Sequence, residues 1–100
     1  MLLPIAMEFN KPVVTERLAR VAVAMGVDTA GMSVEEAADA AIAAVKQLSE
    51  DVNIPKVCEA ITEDELDQIT RDAMADACFP GNPREATFDD VKDMFRKIMK

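Results

Sequence analysis

The chain contains no histidine, tryptophan or tyrosine, and it has only three glycines in 100 residues. Histidine is the commonest general base and a common metal ligand, so its absence excludes Ser–His and Cys–His nucleophilic pairs and histidine metal sites built from this sequence alone. The three glycines are isolated from one another, which excludes a glycine-rich phosphate-binding loop. The sequence alone therefore offers few of the groups that most enzymes use.

Positive charge is also scarce. The chain has 19 acidic against 11 basic residues and a formal net charge of −8. Nucleic acids and anionic membranes attract clusters of Lys and Arg, so we expect neither as a partner. The apolar stretch 1–7 lacks a positive start and runs into Glu8, which argues against a secretion signal. We therefore expect a cytoplasmic protein in which Cys58 and Cys78 are free thiols.

Apolar residues make up half of the sequence and recur at helical spacing throughout. Most of them are Ala, Val, Met, Leu and Ile, and no segment alternates as a β-strand does. A chain of this length can bury one modest core. The pattern predicts a single all-α domain over residues 1–100, a bundle of five to six helices.

Turn and capping residues predict the boundaries of the first helices. A helix over 1–10 should end at Pro12, because the residue before a proline is pushed out of the α region. Thr15 should cap a second helix that stops at Gly26. A capping box at Ser33 should start a third helix, with its reciprocal bond made by Glu36.

The second half of the chain repeats this pattern. A single turn is expected over 56–60, and Thr62 should open a capping box for the next helix. That helix should turn four side chains inward, namely Leu66, Ile69, Ala73 and Ala77. Thr87 should cap the last helix, whose apolar face is formed by Val91, Met94, Phe95 and Ile98.

The segment 76–87 is the most distinctive part of the sequence, because it places two prolines, a glycine and an asparagine around Cys78. One interpretation is a rigid helix connector, and the other is a loop that carries function. Cys78 follows the C-terminal end of a predicted helix, where the dipole does not favour a thiolate, so we do not expect a nucleophile. Its side chain should be either a small buried apolar group or part of a pocket wall.

Four motifs occur in an order and spacing that together are more specific than any one of them. They are Leu2-Leu3-Pro4 leading to Met7-Glu8-Phe9-Asn10, Ala24-Met25-Gly26-Val27, Asp51-Val52-Asn53-Ile54-Pro55, and Asp76-Ala77-Cys78 followed by Gly81-Asn82-Pro83-Arg84. In this combination the chain resembles the iron-containing (group III) alcohol dehydrogenase family. The likeness is to the C-terminal part of that family's dehydroquinate synthase-like helical domain. Ile5 departs from the pattern, which has a histidine after the proline.

The resemblance implies how the chain would contribute to an enzyme. In that family an N-terminal α/β domain binds NAD(P), and Fe²⁺ or sometimes Zn²⁺ polarises the oxygen of an alcohol, aldehyde or ketone. The family's metal ligands, one Asp and three His, precede the segment that matches Leu2-Leu3-Pro4. We therefore expect no catalytic residue, metal ligand or bound cofactor in this chain.

The resemblance also assigns roles within segment 76–87. It implies that Cys78 and Phe79 line the substrate pocket. It further implies that four residues maintain the shape of the loop, namely Gly81, Asn82, Pro83 and Arg84.

Two interpretations remain open. The first is the C-terminal helical part of an NAD(P)- and iron-dependent alcohol dehydrogenase that is inactive alone. The alternative is a standalone acidic helical interaction module or a truncated remnant without catalysis. On the first interpretation the start at Met1 resembles a cut through a buried helix, made by cloning or by a truncated reading frame. The chain should then self-associate through the exposed helix Met1–Phe9.

Overall fold

The computed structural model describes residues 1–99, which form four α-helices and two short 3₁₀ turns. The α-helices are α1 (Leu3–Ala24), α2 (Val34–Asp51), α3 (Leu66–Met74) and α4 (Phe88–Arg96), and the turns cover Glu63–Glu65 and Phe79–Gly81. Apart from one isolated bridge, these residues contain no β-structure. The predicted all-α class is confirmed, with fewer helices than expected.

The first helix continues through Pro12 instead of ending before it. A proline inside a helix removes one hydrogen bond and kinks the axis. The backbone leaves helical geometry at Val14, with φ −125° and ψ 30°, and then resumes the helix. The predicted cap at Thr15 was wrong, since its hydroxyl donates to the Lys11 carbonyl at 2.6 Å, as it would inside a helix. The two helices predicted here are therefore one kinked helix.

Helices α1 and α2 pack together as an antiparallel hairpin around a core of mostly small side chains. The buried residues of this core are Met7, Leu18, Ala22, Ala38, Ala41 and Ile42. Alanines let the two backbones approach closely, because a methyl group is all that separates them. Two ion pairs at the surface, Lys11–Asp39 at 2.7 Å and Lys46–Glu8 at 2.5 Å, flank this core, and only Lys11 among them is partly buried. Exposed pairs are worth little, so apolar packing holds the hairpin together.

Local signals set both ends of this hairpin. Gly26, at φ +86°, follows α1, and the Val27 N–H donates to the Ala22 carbonyl at 3.0 Å. Asn53, at φ +61°, plays the same part after α2. Both ends have the bonds of a Schellman motif, in which a residue in left-handed conformation stops the helix. The predicted stop at Gly26 is confirmed.

The start of α2 follows the prediction in part. Ser33 accepts a hydrogen bond from the Glu36 N–H at 3.1 Å, so the predicted cap is present. This bond is one half of the predicted capping box. The other half would require the Glu36 carboxylate to turn back to the Ser33 N–H.

Helices α3 and α4 form a second pair whose buried residues are Leu66, Thr70 and Val91, and Ile98, just after α4, is also buried. The pair is flanked by Asp67–Lys92 at 2.7 Å and Glu63–Arg96 at 3.1 Å. The predicted cap at Thr62 was wrong, since a 3₁₀ turn precedes α3 and the Thr62 side chain makes no capping bond there. Ala77 is exposed instead of inward, because α3 already ends at Met74.

The segment 56–60 contains no helical turn. Cys58 instead lies alongside the end of the chain, where its N–H donates to the Ile98 carbonyl at 2.7 Å and it forms an isolated parallel bridge with Met99. Together with the merged helices at Pro12, this explains why four α-helices form instead of five or six.

The N-terminus of α4 gives a prediction about acid stability. Hydrogen bonds from the backbone and then the side chain of Thr87 hold the pKa of Asp90 below its ordinary value of 3.8. A carboxylate with a lowered folded-state pKa stabilises the protein above the unfolded-state pKa, and this is lost as the pH falls through the folded-state pKa. Urea unfolding at a series of pH values from neutral to acid should therefore show a flatter acid slope for Asp90→Asn than for the wild type.

Asp89→Asn is the matched control, because Asp89 lies in the same helical turn but outside the capping box. Asp90→Asn should flatten the acid slope more than Asp89→Asn does, because only Asp90 bonds to Thr87. An Asp90→Asn slope equal to that of the wild type would contradict a role for the box in acid stability.

Candidate functional site

A cleft of about 620 Å³ separates the first turns of α1 from the pair α3–α4, with segment 76–87 along one side. The start of α1 contributes Ala6, Phe9 and the preceding Leu2, which share one helical face. The other walls are formed by Ala73, Asp76, Cys78, Phe79, Gly81, Asn82, Pro83, Ala86, Val91, Met94 and Phe95. Most of these side chains are apolar, so the cleft offers a ligand mainly hydrocarbon contact.

The loop that carries Cys78 and Phe79 is tightly turned. The Asp76 carboxylate accepts the Cys78 N–H at 2.7 Å, and the 3₁₀ turn Phe79–Gly81 follows directly. Cys78 is exposed and Phe79 is half-buried, and both face the cleft. Cys78 is thus not the small buried core residue that was one alternative from the sequence.

Segment 76–87 is bound to α1 by a set of hydrogen bonds that we call the amide–arginine clamp, formed by Phe9, Asn10, Asn82 and Arg84. The side-chain amides of Asn10 and Asn82 bond reciprocally, at 2.8 and 2.9 Å. Asn82 also donates to the Arg84 carbonyl at 2.5 Å. The Arg84 guanidinium donates to the Phe9 carbonyl at 2.6 Å and lies 4.1 Å from the centroid of the Phe9 ring.

The clamp and the loop itself occupy the polar side chains on this side of the cleft. Asn82 is fully engaged by Asn10 and Arg84, and Asp76 accepts a backbone N–H. The polar side chains that line the cleft are those of Asp76, Cys78 and Asn82. Of these three, the Cys78 thiol is the one that is not used in a hydrogen bond within the loop or the clamp. The cleft can hold a ligand in position and exclude water from it. Its residues present no acid–base pair for catalysis.

The described part of the chain does not fit a metal ion. No group of three or more Cys, Asp or Glu side chains converges anywhere in residues 1–99, and the sequence has no His. A divalent transition metal needs several such ligands at short distance. We therefore derive no metal-dependent step from these residues.

The sequence did not reveal the α1 half of the clamp. Composition singled out the loop residues from Gly81 to Arg84, but Asn10 and Phe9 lie more than seventy positions earlier. An exposed-looking Asn near the predicted end of a helix has no local sign of a distant partner. The contact follows from the tertiary fold alone.

Comparison with known proteins identifies the family. The family described as "Fe-containing alcohol dehydrogenase family, C-terminal" matches residues 1–99. The chain belongs to this family. The predicted resemblance is therefore confirmed, and it covers the described chain from end to end.

Curated members of the family are similar over nearly the whole chain. Lactaldehyde reductase of Escherichia coli (strain K12) is 38% identical over 96 residues, which cover 94% of this chain and 25% of that protein. The methanol:N,N-dimethyl-4-nitrosoaniline oxidoreductase of Amycolatopsis methanolica is 37% identical, over 97% of this chain and 28% of that protein. The chain spans about a quarter of the length of the curated relatives it matches.

A solved member of the family has the same fold in this region. The crystal structure of a 1,3-propanediol oxidoreductase superposes with a TM-score of 0.93 at 30% identity, over 98% of this chain and 26% of that one. The four helices thus correspond to a helical region of an iron-containing alcohol dehydrogenase. Within the described residues, no helix is long and apolar enough to cross a membrane.

The reciprocal amide pair can be tested by a double-mutant cycle. Asn10→Ala and Asn82→Ala should each lower the free energy of unfolding by about 1–2 kcal/mol, because each leaves a partly buried amide unpaired. The double variant should lose less than the sum, with a coupling of about 1 kcal/mol. Urea denaturation followed by circular dichroism measures all three.

A control cycle pairs Asn10→Ala with Gln68→Ala, whose exposed amide bonds to Asp72 on α3. These two effects should add without coupling. Additive effects of Asn10→Ala and Asn82→Ala would show that the amide pair contributes nothing as a pair.

Proposed function

We propose that this chain is the C-terminal helical part of an NAD(P)- and iron-dependent alcohol dehydrogenase, and that its cleft is one wall of the substrate pocket. The observation that carries the proposal is the apolar cleft beside the loop with Cys78 and Phe79, in a chain that belongs to this family. Relatives that match it are named as a lactaldehyde reductase, a methanol oxidoreductase and a butanol dehydrogenase. The reaction class that fits is interconversion of alcohols with aldehydes or ketones.

Within this proposal the chain contributes shape and exclusion of water. Phe9, Phe79 and the apolar side chains of α4 would contact the carbon skeleton of the alcohol, with the Cys78 thiol at the open side. The loop residues from Gly81 to Arg84 would keep the loop in place through the clamp. The metal, Fe²⁺ or Zn²⁺, and the nicotinamide would supply Lewis-acid and hydride chemistry from the rest of the enzyme, which we place in the cytoplasm.

The chain should be inactive by itself. It offers no histidine, and its described residues bring no three metal-binding side chains together. After incubation with Fe²⁺ or Zn²⁺ and removal of free metal, metal analysis of the purified chain should find no stoichiometric ion. Assays with NAD or NADP and 1-butanol or 1,2-propanediol should find no oxidation.

One bound metal per chain together with alcohol oxidation would refute the inactivity of the chain. Metal without oxidation would refute the absence of a metal site and leave the proposed contribution to the substrate pocket in place. A full-length relative assayed in parallel shows that the metal and cofactor conditions support activity.

The surface of the chain is large for its mass. Its accessible area is 6588 Å², whereas a globular protein of 10.9 kDa is expected to expose about 5,600 Å². The radius of gyration of 14.8 Å likewise exceeds the value of about 13 Å for 100 compact residues. This excess of accessible surface supports the proposal that part of the surface is covered by a partner.

The start of α1 is one apolar part of that surface. Leu3 is 61% exposed and Met1 37%, while Pro4 and Met7 nearby are buried. We propose that the isolated chain associates with a second copy through the face of Met1–Phe9, because exposed apolar patches favour association.

Sedimentation tests this association. The wild-type chain should form a dimer or larger assembly at high concentration, and Leu3→Glu should shift it toward monomer, because a charge would be buried in the contact. Val23→Glu is the matched control, since Val23 is 60% exposed but lies near the other end of α1. It should leave the assembly unchanged.

A wild-type monomer at high concentration would argue against this face as a contact. That outcome would favour the second candidate, a standalone acidic helical interaction module. One observation supports this candidate: within residues 1–99, every buried side-chain nitrogen and oxygen has a hydrogen-bond partner. The buried polar side chains of the described residues are thus satisfied within the chain itself.

A further inference from the structure

The kink in α1 lies where segment 76–87 meets this helix. Pro12 has no N–H to donate to the Glu8 carbonyl four residues earlier, and its ring crowds that carbonyl. The distortion extends to Val14, which has non-helical dihedral angles. The Phe9 carbonyl is the next acceptor in this turn, and its helical donor would be the Val13 N–H, directly before the distorted Val14. Because a carbonyl oxygen has two lone pairs, it can also accept from a donor outside the helix.

The Arg84 guanidinium is the external donor at this turn. It donates to the Phe9 carbonyl at 2.6 Å, three residues before Pro12, from a loop 75 residues further along the chain. A guanidinium holds five donors in a rigid plane, so it can bond the carbonyl while its flat face lies on the Phe9 ring. The carbon of the guanidinium is 4.1 Å from the ring centroid, within the range of a cation–π contact.

Phe9 joins this contact to the cleft. Its backbone carbonyl and ring are held by Arg84, and the same ring is part of the cleft wall. The other side of the clamp leads to Phe79, because the Asn82 N–H donates to the Phe79 carbonyl at 3.1 Å and closes the 3₁₀ turn. The clamp therefore contacts two aromatic residues that line the cleft from different elements.

We propose that Arg84 is a positioning residue that, seated in the turn kinked by Pro12, sets the placement of the Phe9 and Phe79 rings in the cleft. The proline kink then has a function: it presents the Phe9 carbonyl to Arg84. The value of this positioning for a substrate rests on the proposed function, whereas the coupling itself is a property of the chain without substrate, metal or cofactor.

Fluorine NMR of the 100-residue chain tests the coupling. Biosynthetic 4-fluorophenylalanine labels Phe9, Phe79, Phe88 and Phe95, and the signals are assigned by single Phe→Leu variants. In Arg84→Met the Phe9 signal should shift strongly and the Phe79 signal less. Phe88, which lies at the start of α4 and does not line the cleft, should keep its position. Pro12→Ala should also shift both cleft signals, with Arg84 still present.

Two further variants separate positioning from loss of fold. Arg71→Met removes an exposed arginine from α3 and should leave all four signals in place. Arg84→Lys keeps the charge but loses the planar fork, so the Phe9 signal should still shift while the helical circular dichroism is retained. If Arg84→Met unfolds the chain, Arg84→Lys and Pro12→Ala decide the result.

An unshifted Phe9 signal in folded Arg84→Met or Arg84→Lys would overturn the role of Arg84. Wild-type Phe9 and Phe79 signals in Pro12→Ala would overturn the role of the kink. Because no substrate or metal is added, either failure leaves the proposed enzyme function untouched. Failure of the enzyme function would likewise leave the coupling in place.

Discussion

The bond between the Arg84 guanidinium and the Phe9 carbonyl joins two walls of the cleft, α1 and segment 76–87. Each helix pair has its own buried residues, and residue contacts between the pairs are few by comparison. At the cleft the clamp joins α1 to the segment that leads into α4. Elsewhere a backbone bond joins Cys58, in the segment between α2 and α3, to Ile98 just after α4. Hydrogen bonds depend on angle as well as distance, so they fix the orientation of the loop relative to α1. Packing of small apolar side chains alone would fix orientation less strictly.

The parts of the fold that could be predicted are those governed by neighbouring residues. Gly26 stops a helix because its own backbone reaches positive φ, and Ser33 and Thr87 cap helices because their oxygens reach an N–H three residues on. Pro12 shows the opposite case. Its local preference is to end a helix, but packing of α1 against α2 on both sides of the proline carries the helix through.

The candidate site also has one part that could be predicted from local sequence and one part that could not. Prolines and glycine around Cys78 marked a constrained loop, and the family resemblance connected that loop with a pocket. The clamp itself could not be predicted, because a hydrogen bond between Asn10 and Asn82 depends on where two distant elements are placed by the core. Cys58 illustrates the same limit, since the bridge to Met99 needs the end of the chain to return beside it.

The core of the α1–α2 hairpin has a consequence for how this half of the chain can vary. Ala22, Ala38 and Ala41 are fully buried, with 0% of their surface accessible. The methyl groups of these alanines set the distance between the two helices. Side chains larger than alanine therefore do not fit at these positions. Larger side chains at these positions would force the helices apart and tilt the first turns of α1, displacing the cleft wall from a distance. The shape of the cleft can thus be altered from positions that do not line it.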